Sequence, residues 1–313
     1  MNLQTSIIKT LAYFDIFNYP LTKEELFRYL YTEGTEKLDY TEFLNQLQHF
    51  EQLKHFQHKD GFYFLPGRSE IVTDRQSKVK IMEKKFKIAY KGIKKIARVP
   101  FVRAVFVCNT LSGPGLDDNS DIDVFIIVRR GRLWLARLLV TLVSSFFRFR
   151  RTKRKIKNKI CLSFYLSDDS LNLEKIAIDN DIYLMYWLTQ LIPFYDPEDL
   201  LSSLQKANTW VEKFLPNAFQ PYDLITKWRV VQIGFGFKLK KFFEKVWQSG
   251  YGDLIESQAK GAQQAKMKMN YMSVQNANDT RVVVNDKMLK FHESDRRVVY
   301  RDKWAEKCKE IEI

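Results

Sequence analysis

The stretch from Val105 to Val128, VFVCNTLSGPGLDDNSDIDVFIIV, constrains this chain more than any other. Phe101–Cys108 and the run Val124-Phe125-Ile126-Ile127-Val128 are rich in β-branched and aromatic residues and read as two strands. Ser120-Asp121-Ile122-Asp123 leads straight into the second. On an extended backbone residues i and i+2 point the same way, so Asp121 and Asp123 present two carboxylates on one face and Ile122 lies on the other. Two such carboxylates repel each other unless a cation compensates them. A hard divalent ion such as Mg²⁺ takes oxygen ligands of this kind and bridges to substrate phosphates. The connecting loop holds Gly113, Pro114 and Gly115, and a turn there brings backbone N–H groups to a phosphate. Asp-x-Asp alone is common and reads as solvated carboxylates at a strand entry. Its setting between two strands favours a metal site.

Charge points in the same direction. The formal net charge is +14, and two segments account for it. Lys78 to Arg98 has nine basic residues against Glu83, and Arg148 to Lys159 has eight with no acid, leaving the rest of the chain close to neutral. Basic runs that flank one motif predict a polyanionic partner. The second run, poor in aromatics beyond Phe149, suits phosphate or backbone contact with RNA or DNA rather than base stacking. With 45% hydrophobic residues the chain can build a sizeable core, which excludes a disordered protein. Cys108, Cys161 and Cys308 are too dispersed for a disulfide scaffold or a structural zinc site. The first residues lack a signal-peptide pattern, so a cytoplasmic location is expected. Arg137 interrupts the apolar run Leu133–Phe147, and the uncharged part, Leu138–Phe147, is half of the roughly 20 residues a span needs. It reads as a buried helix, with peripheral membrane contact as a minor alternative.

Along the chain, periodicity predicts helices over Ser6–Phe17, after the Thr22/Glu25 capping box, and over Tyr40–Phe50, with a hairpin at Leu53–Leu65 around Asp60-Gly61. This unit, residues 1–68, is similar to a winged helix-turn-helix. That resemblance implies major-groove contact by Tyr40–Glu51, although that segment has no Lys or Arg. A basic helix is expected over 73–98 with Val79, Met82, Phe86, Ile93 and Ile96 on its buried face. The helix over Leu133–Phe147 has Trp134, Leu138, Leu142 and Phe146 as its apolar positions. A third strand is expected at Ile160–Leu166, then helices at Asp179–Leu191, Glu198–Phe214, Tyr222–Trp247 and Ser257–Met269. The expected units are 1–68, 69–175, a helical region 176–270, and a polar tail 271–313 ordered in part by docking.

The order strand, glycine-containing loop, Ser-Asp-Ile-Asp, strand resembles the DNA polymerase β-like nucleotidyltransferase superfamily over Lys78 to Asp168. The family has a Gly-Ser pair at the end of one strand and, about a dozen residues later, an Asp-x-Asp opening the next. Here Asn109-Thr110 stand at the Gly-Ser position, twelve residues before Asp121. The resemblance implies an α+β fold in which a mixed sheet with flanking helices follows the N-terminal unit and precedes a helical C-terminal region. It implies one or two Mg²⁺ on Asp121 and Asp123, and nucleotide phosphates at Asn109, Thr110, Gly113 and Ser120. The implied reaction moves a nucleoside monophosphate from an NTP to a hydroxyl acceptor. The family's third carboxylate is missing from the third strand, where Ser163 occupies the expected place and Asp168 and Asp169 come only at the end. The alternative is a catalytically impaired protein of this fold that serves as a nucleic-acid-binding or regulatory module.

Overall fold

The computed structural model describes residues 2–34, 38–51, 55–109, 116–219, 226–269, 274, 277 and 279–311. The chain is α+β and begins with helix α1 (Leu3–Asp15), capped by Asn2, whose side chain accepts from the Thr5 amide at 2.8 Å. Strand β1 (Leu21–Thr22) leads into α2 (Lys23–Arg28) through the expected capping box, with both hydrogen bonds between Thr22 and Glu25 formed. Helix α3 (Tyr40–Glu51) follows, then β2 (Gln57–Lys59) and β3 (Phe62–Phe64), which form a three-stranded antiparallel sheet with β1 in the order β1-β3-β2. Helix α4 (Glu70–Ser77) is fastened beneath this unit by Arg75, whose guanidinium makes two hydrogen bonds to Glu25 at 2.6 and 2.8 Å.

The expected single basic helix is two. Lys78 separates α4 from α5 (Val79–Ile96), and Val79 and Met82 are exposed rather than buried. Strands β4 (Val102–Cys108) and β5 (Ile122–Val128) are antiparallel neighbours. After α6 (Leu133–Phe146), strand β6 (Ile160–Ser167) returns parallel to β5. Leu142 and Phe146 of α6 are exposed, against expectation, because Leu133, Trp134, Ala136 and Val140 form the side that packs on the sheet. The C-terminal half adds α7 (Ile182–Thr189), β7 (Ile192–Tyr195), α8 (Leu200–Ala207), α9 (Phe235–Val246) and α10 (Gly250–Lys268). Strands β8 (Val282–Val284) and β9 (Met288–Phe291) and helix α11 (Arg297–Glu310) complete it. Of the helix expected over Tyr222–Trp247, residues 222–225 lie outside the described residues, Thr226–Trp228 form a 3-10 turn, and α9 begins at Phe235.

The second sheet has six strands in the order β7-β4-β5-β6-β9-β8, with β5 and β6 its parallel pair. Both faces are covered, which is why β4 and β5 read as continuous apolar runs. Val105, Val107, Val124, Ile126 and Val128 pack toward α5 and α6. Ala104, Phe106, Cys108, Phe125 and Ile127 pack with α7 and with the N-terminal helices. By the same alternation Asp121 and Asp123 belong to the α7 side.

The tail is part of this architecture. Strand β9 pairs with β6, and α11 lies across α1 and α7, with Trp304 Nε1 donating to the Lys9 carbonyl at 3.0 Å. No described helix is long and apolar enough to cross a membrane.

Candidate functional site

The end of β4 and the starts of β5 and β6 meet at one edge of the sheet. Cys108 pairs with Asp123, and Asp123 with Cys161. Ligand atoms of Asp121, Asp123 and Cys161 lie within 4.8 Å of one another, the one such group among the described residues. The two carboxylates therefore converge as their i, i+2 spacing predicts. The residue across from them is Cys161, not Ser163. Asp123 pairs with Cys161 but Phe125 with Phe164, so one residue of β5 faces two of β6 between these pairs, and this bulge shifts the register. Ser163 instead makes a 3.1 Å hydrogen bond with His292 Nε2 from the segment after β9. Asp168 and Asp169 are past the far end of β6, about 23 Å along the strand from Cys161 at about 3.3 Å per residue. There Asp168 accepts from the Arg130 amide and Asp169 from the Ser167 hydroxyl. Neither stands in for a third carboxylate.

Asn109 ends β4 in the left-handed region, φ 59°, a conformation that Asn adopts at lower cost than most residues. Its amide donates to Asp123 Oδ2 at 3.3 Å, and its carbonyl oxygen accepts from the Tyr183 hydroxyl at 3.0 Å. Tyr183 on α7 thus orients Asn109, which orients Asp123. Ser120 donates its hydroxyl to the Asp117 carbonyl at 2.8 Å, while the buried Lys85 ammonium donates to Ser120 Oγ and to its carbonyl. Thr110 and Gly113 lie outside the described residues.

Both basic segments reach this edge. Arg151 Nε is 2.9 Å from Asp121 Oδ2, and Arg151 also points a guanidinium N–H at Cys161 Sγ at 3.7 Å. Lys84 of α5 and Lys157 of the second run converge on Asp118, at 2.8 and 2.5 Å, and hold its carboxyl down at about 2. Lys85 brings the loop before β5 onto α5. Burial, with Asp121 next in effect, pushes the Asp123 carboxyl up to about 6, although Asn109 and Arg151 work against the shift. Burial pushes the Cys161 thiol up to about 12, so it is a neutral thiol near pH 7.

Two clefts open on either side of this cluster. One of about 430 Å³ is lined by Asp123, Cys161, Trp187, Lys290, His292 and Arg296. The other, about 540 Å³, is lined by Phe17, Ser120, Asp121, Tyr183, Arg296 and Tyr300. Tyr183 and Tyr300 stack at 5.2 Å between their ring centroids. The sequence reading missed Arg151, Cys161, Tyr183 and His292. Arg151 was only one charge in a run, and the others required strand register and the docking of the tail. Comparison with protein-family models, curated proteins and solved structures finds no match for this chain.

Proposed function

We propose that this chain binds a nucleoside triphosphate together with a divalent cation at Asp121 and Asp123 and transfers the nucleoside monophosphate to a hydroxyl acceptor, the α–β phosphoanhydride bond breaking and pyrophosphate leaving. The carrying observation is the convergence of these two carboxylates at a strand start, with cations of both basic segments around them. Their donor set fits Mg²⁺, which is held by one or two protein carboxylates and completes its shell with water and substrate phosphates. The neutral Cys161 thiol leaves a hard oxygen set. A bound cation of this kind polarises the α-phosphate and aids formation of the attacking alkoxide.

The chain's own residues divide the remaining work. Asp121 and Asp123 hold the cation, and Asn109, fixed by Tyr183, presents Asp123 to it. Arg151 neutralises Asp121 and stands within reach of substrate phosphate. By the family resemblance, Thr110, Gly113 and Ser120 contact the phosphates. The exposed cations Arg150, Lys153, Arg154 and Lys155 offer an RNA or DNA acceptor a backbone-binding surface.

One observation favours a second reading, a nucleotide-binding protein without turnover. Cys161 occupies the position across from Asp123, where a third carboxylate would act as base. Incubation with α-³²P-labelled NTP, Mg²⁺ and mixed RNA and protein acceptors separates the two. Label transfer that Asp121→Asn abolishes supports the enzyme. Nucleotide binding with no transfer above the Asp121→Asn background supports the second reading.

A further inference from the structure

Helix α9 has two sides, and the fold uses one. Phe237 is buried beside Tyr195, the Lys240 ammonium donates to the carbonyls of Ala97 and Val102 and to the Tyr195 hydroxyl, and Glu244 accepts from the Phe101 amide. These three residues fix the inward side. Phe235, Leu239, Phe242 and Val246 recur at i, i+4, i+7 and i+11, a single stripe along a helix about 18 Å long. They are 78, 43, 59 and 43% exposed, and Val231 and Ile233 in the lead-in are 61 and 69% exposed. Scattered apolar residues are ordinary at a surface, but four in one helical stripe, with two more in the segment leading into it, mark an interaction site.

The border of the stripe indicates what covers it. Lys238, Lys241 and Lys245 are exposed along the helix, and the one acid between 231 and 246, Glu244, is turned inward. Gly236 abuts the Arg98 side chain so closely that a Cβ there would lie 2.8 Å from Cδ, which joins α9 to the end of the basic helix α5. Within residues 231–246 the exposed charges are therefore all cationic, and the three lysines run along one flank of the stripe. We propose that α9 is an interfacial helix that seats this stripe in an anionic lipid surface, with its lysines at the headgroups. Helices of this composition lie in the membrane plane with the apolar side about 5–10 Å deep. Nucleic acid fits less well, because four of these six apolar residues are aliphatic and offer no ring for stacking. A twofold contact between copies would set the same lysines against each other.

Co-sedimentation of the full chain tests this, with phosphatidylserine-containing and pure phosphatidylcholine vesicles as probes. Partitioning onto the anionic vesicles is expected, with a loss of about tenfold or more in Phe235→Ser/Phe242→Ser at an unchanged urea midpoint. Lys238→Gln/Lys241→Gln/Lys245→Gln should weaken binding to anionic vesicles and flatten its salt dependence. Absence of partitioning, or partitioning that Phe235→Ser/Phe242→Ser leaves unchanged, would overturn the proposal. So would a native dimer that this double variant makes monomeric, or RNA affinity that it removes. The surface is distant in sequence from Asp121 and Asp123, so nucleotide binding by the same variants reports on the catalytic reading separately.

Discussion

Asp123 carries opposing demands. Its carboxyl ionises at about 6 in the folded chain against 3.8 for an ordinary aspartate. The folded state therefore keeps a proton that the unfolded state has lost, so this residue's contribution to stability is full below about 4 and is lost as pH rises through about 6. A shift of two units corresponds to about 3 kcal/mol at most, and partial exposure reduces it to about 1–2 kcal/mol. Asp123→Asn is thus expected to raise the urea unfolding free energy by about 1–2 kcal/mol at pH 7.5 and by much less at pH 4. The opposite sign at pH 7.5 would show that the carboxylate is well compensated without a cation. Cation binding needs the ionised form, so Mg²⁺-dependent nucleotide affinity should rise with pH between about 5 and 7, measured by titration calorimetry. The carboxylate pair was legible because a period of two residues is fixed by strand geometry. Cys161 was not, because one bulged residue in β6 moves it opposite Asp123, and alternation carries no record of a bulge.

Among the elements, the C-terminal tail departs most from what its composition suggests. Its order depends on buried charge as well as apolar mass. Arg297, at the start of α11, pairs with Asp181 at 2.8 Å and with Asp295, and its guanidinium also donates to the Ile176 carbonyl and the Thr280 hydroxyl. Lys290 of β9 pairs with the same Asp295 at 2.9 Å. Asp181 in turn caps α7, accepting from the Leu184 amide, one residue beyond the Tyr183 that orients Asn109. A scan of the sequence counts these side chains as solvated polar residues, so the tail looked barely able to order. Strand β7 was hidden for a related reason. It is short, contains Pro193, and is an edge strand, where a missing backbone N–H is tolerated. Arg297→Met leaves Asp181 buried without its guanidinium and is expected to cost about 3–5 kcal/mol in denaturant unfolding. Nucleotide affinity should fall with it, since Asp181, the cap of α7, loses the guanidinium that holds it. A cost below about 1 kcal/mol would mean that the Ile178 and Leu184 amides alone satisfy Asp181.

For the whole molecule, the +14 charge is concentrated in two segments that meet at one place. Lys84 and Lys85 from α5, and Arg151 and Lys157 from the second run, are engaged with Asp118, Ser120 and Asp121. Part of the excess therefore builds the loop entering β5, and the part left exposed is available to a polyanion. Replacing Arg150, Arg154 and Lys155 by Ser should lower RNA affinity and reduce its salt slope by about 2–3, while nucleotide affinity stays within about twofold. An unchanged slope in filter binding would remove the run as a nucleic-acid surface. Strands β4, β5 and β6 and the helices beside them could be read from the apolar runs. The way the N-terminal helices, α7 and α11 share one core could not, because those contacts join residues 157 to 295 positions apart.

The central claim is that Asp121 and Asp123 form a cation-dependent nucleotide site. Titration calorimetry with each of the four NTPs in Mg²⁺ tests it most directly, on the native chain and on Asp121→Asn/Asp123→Asn. Binding of at least one NTP is expected, lost in the double variant and lost when EDTA replaces Mg²⁺. Absence of heat with all four, or binding that persists in the double variant, would contradict the claim.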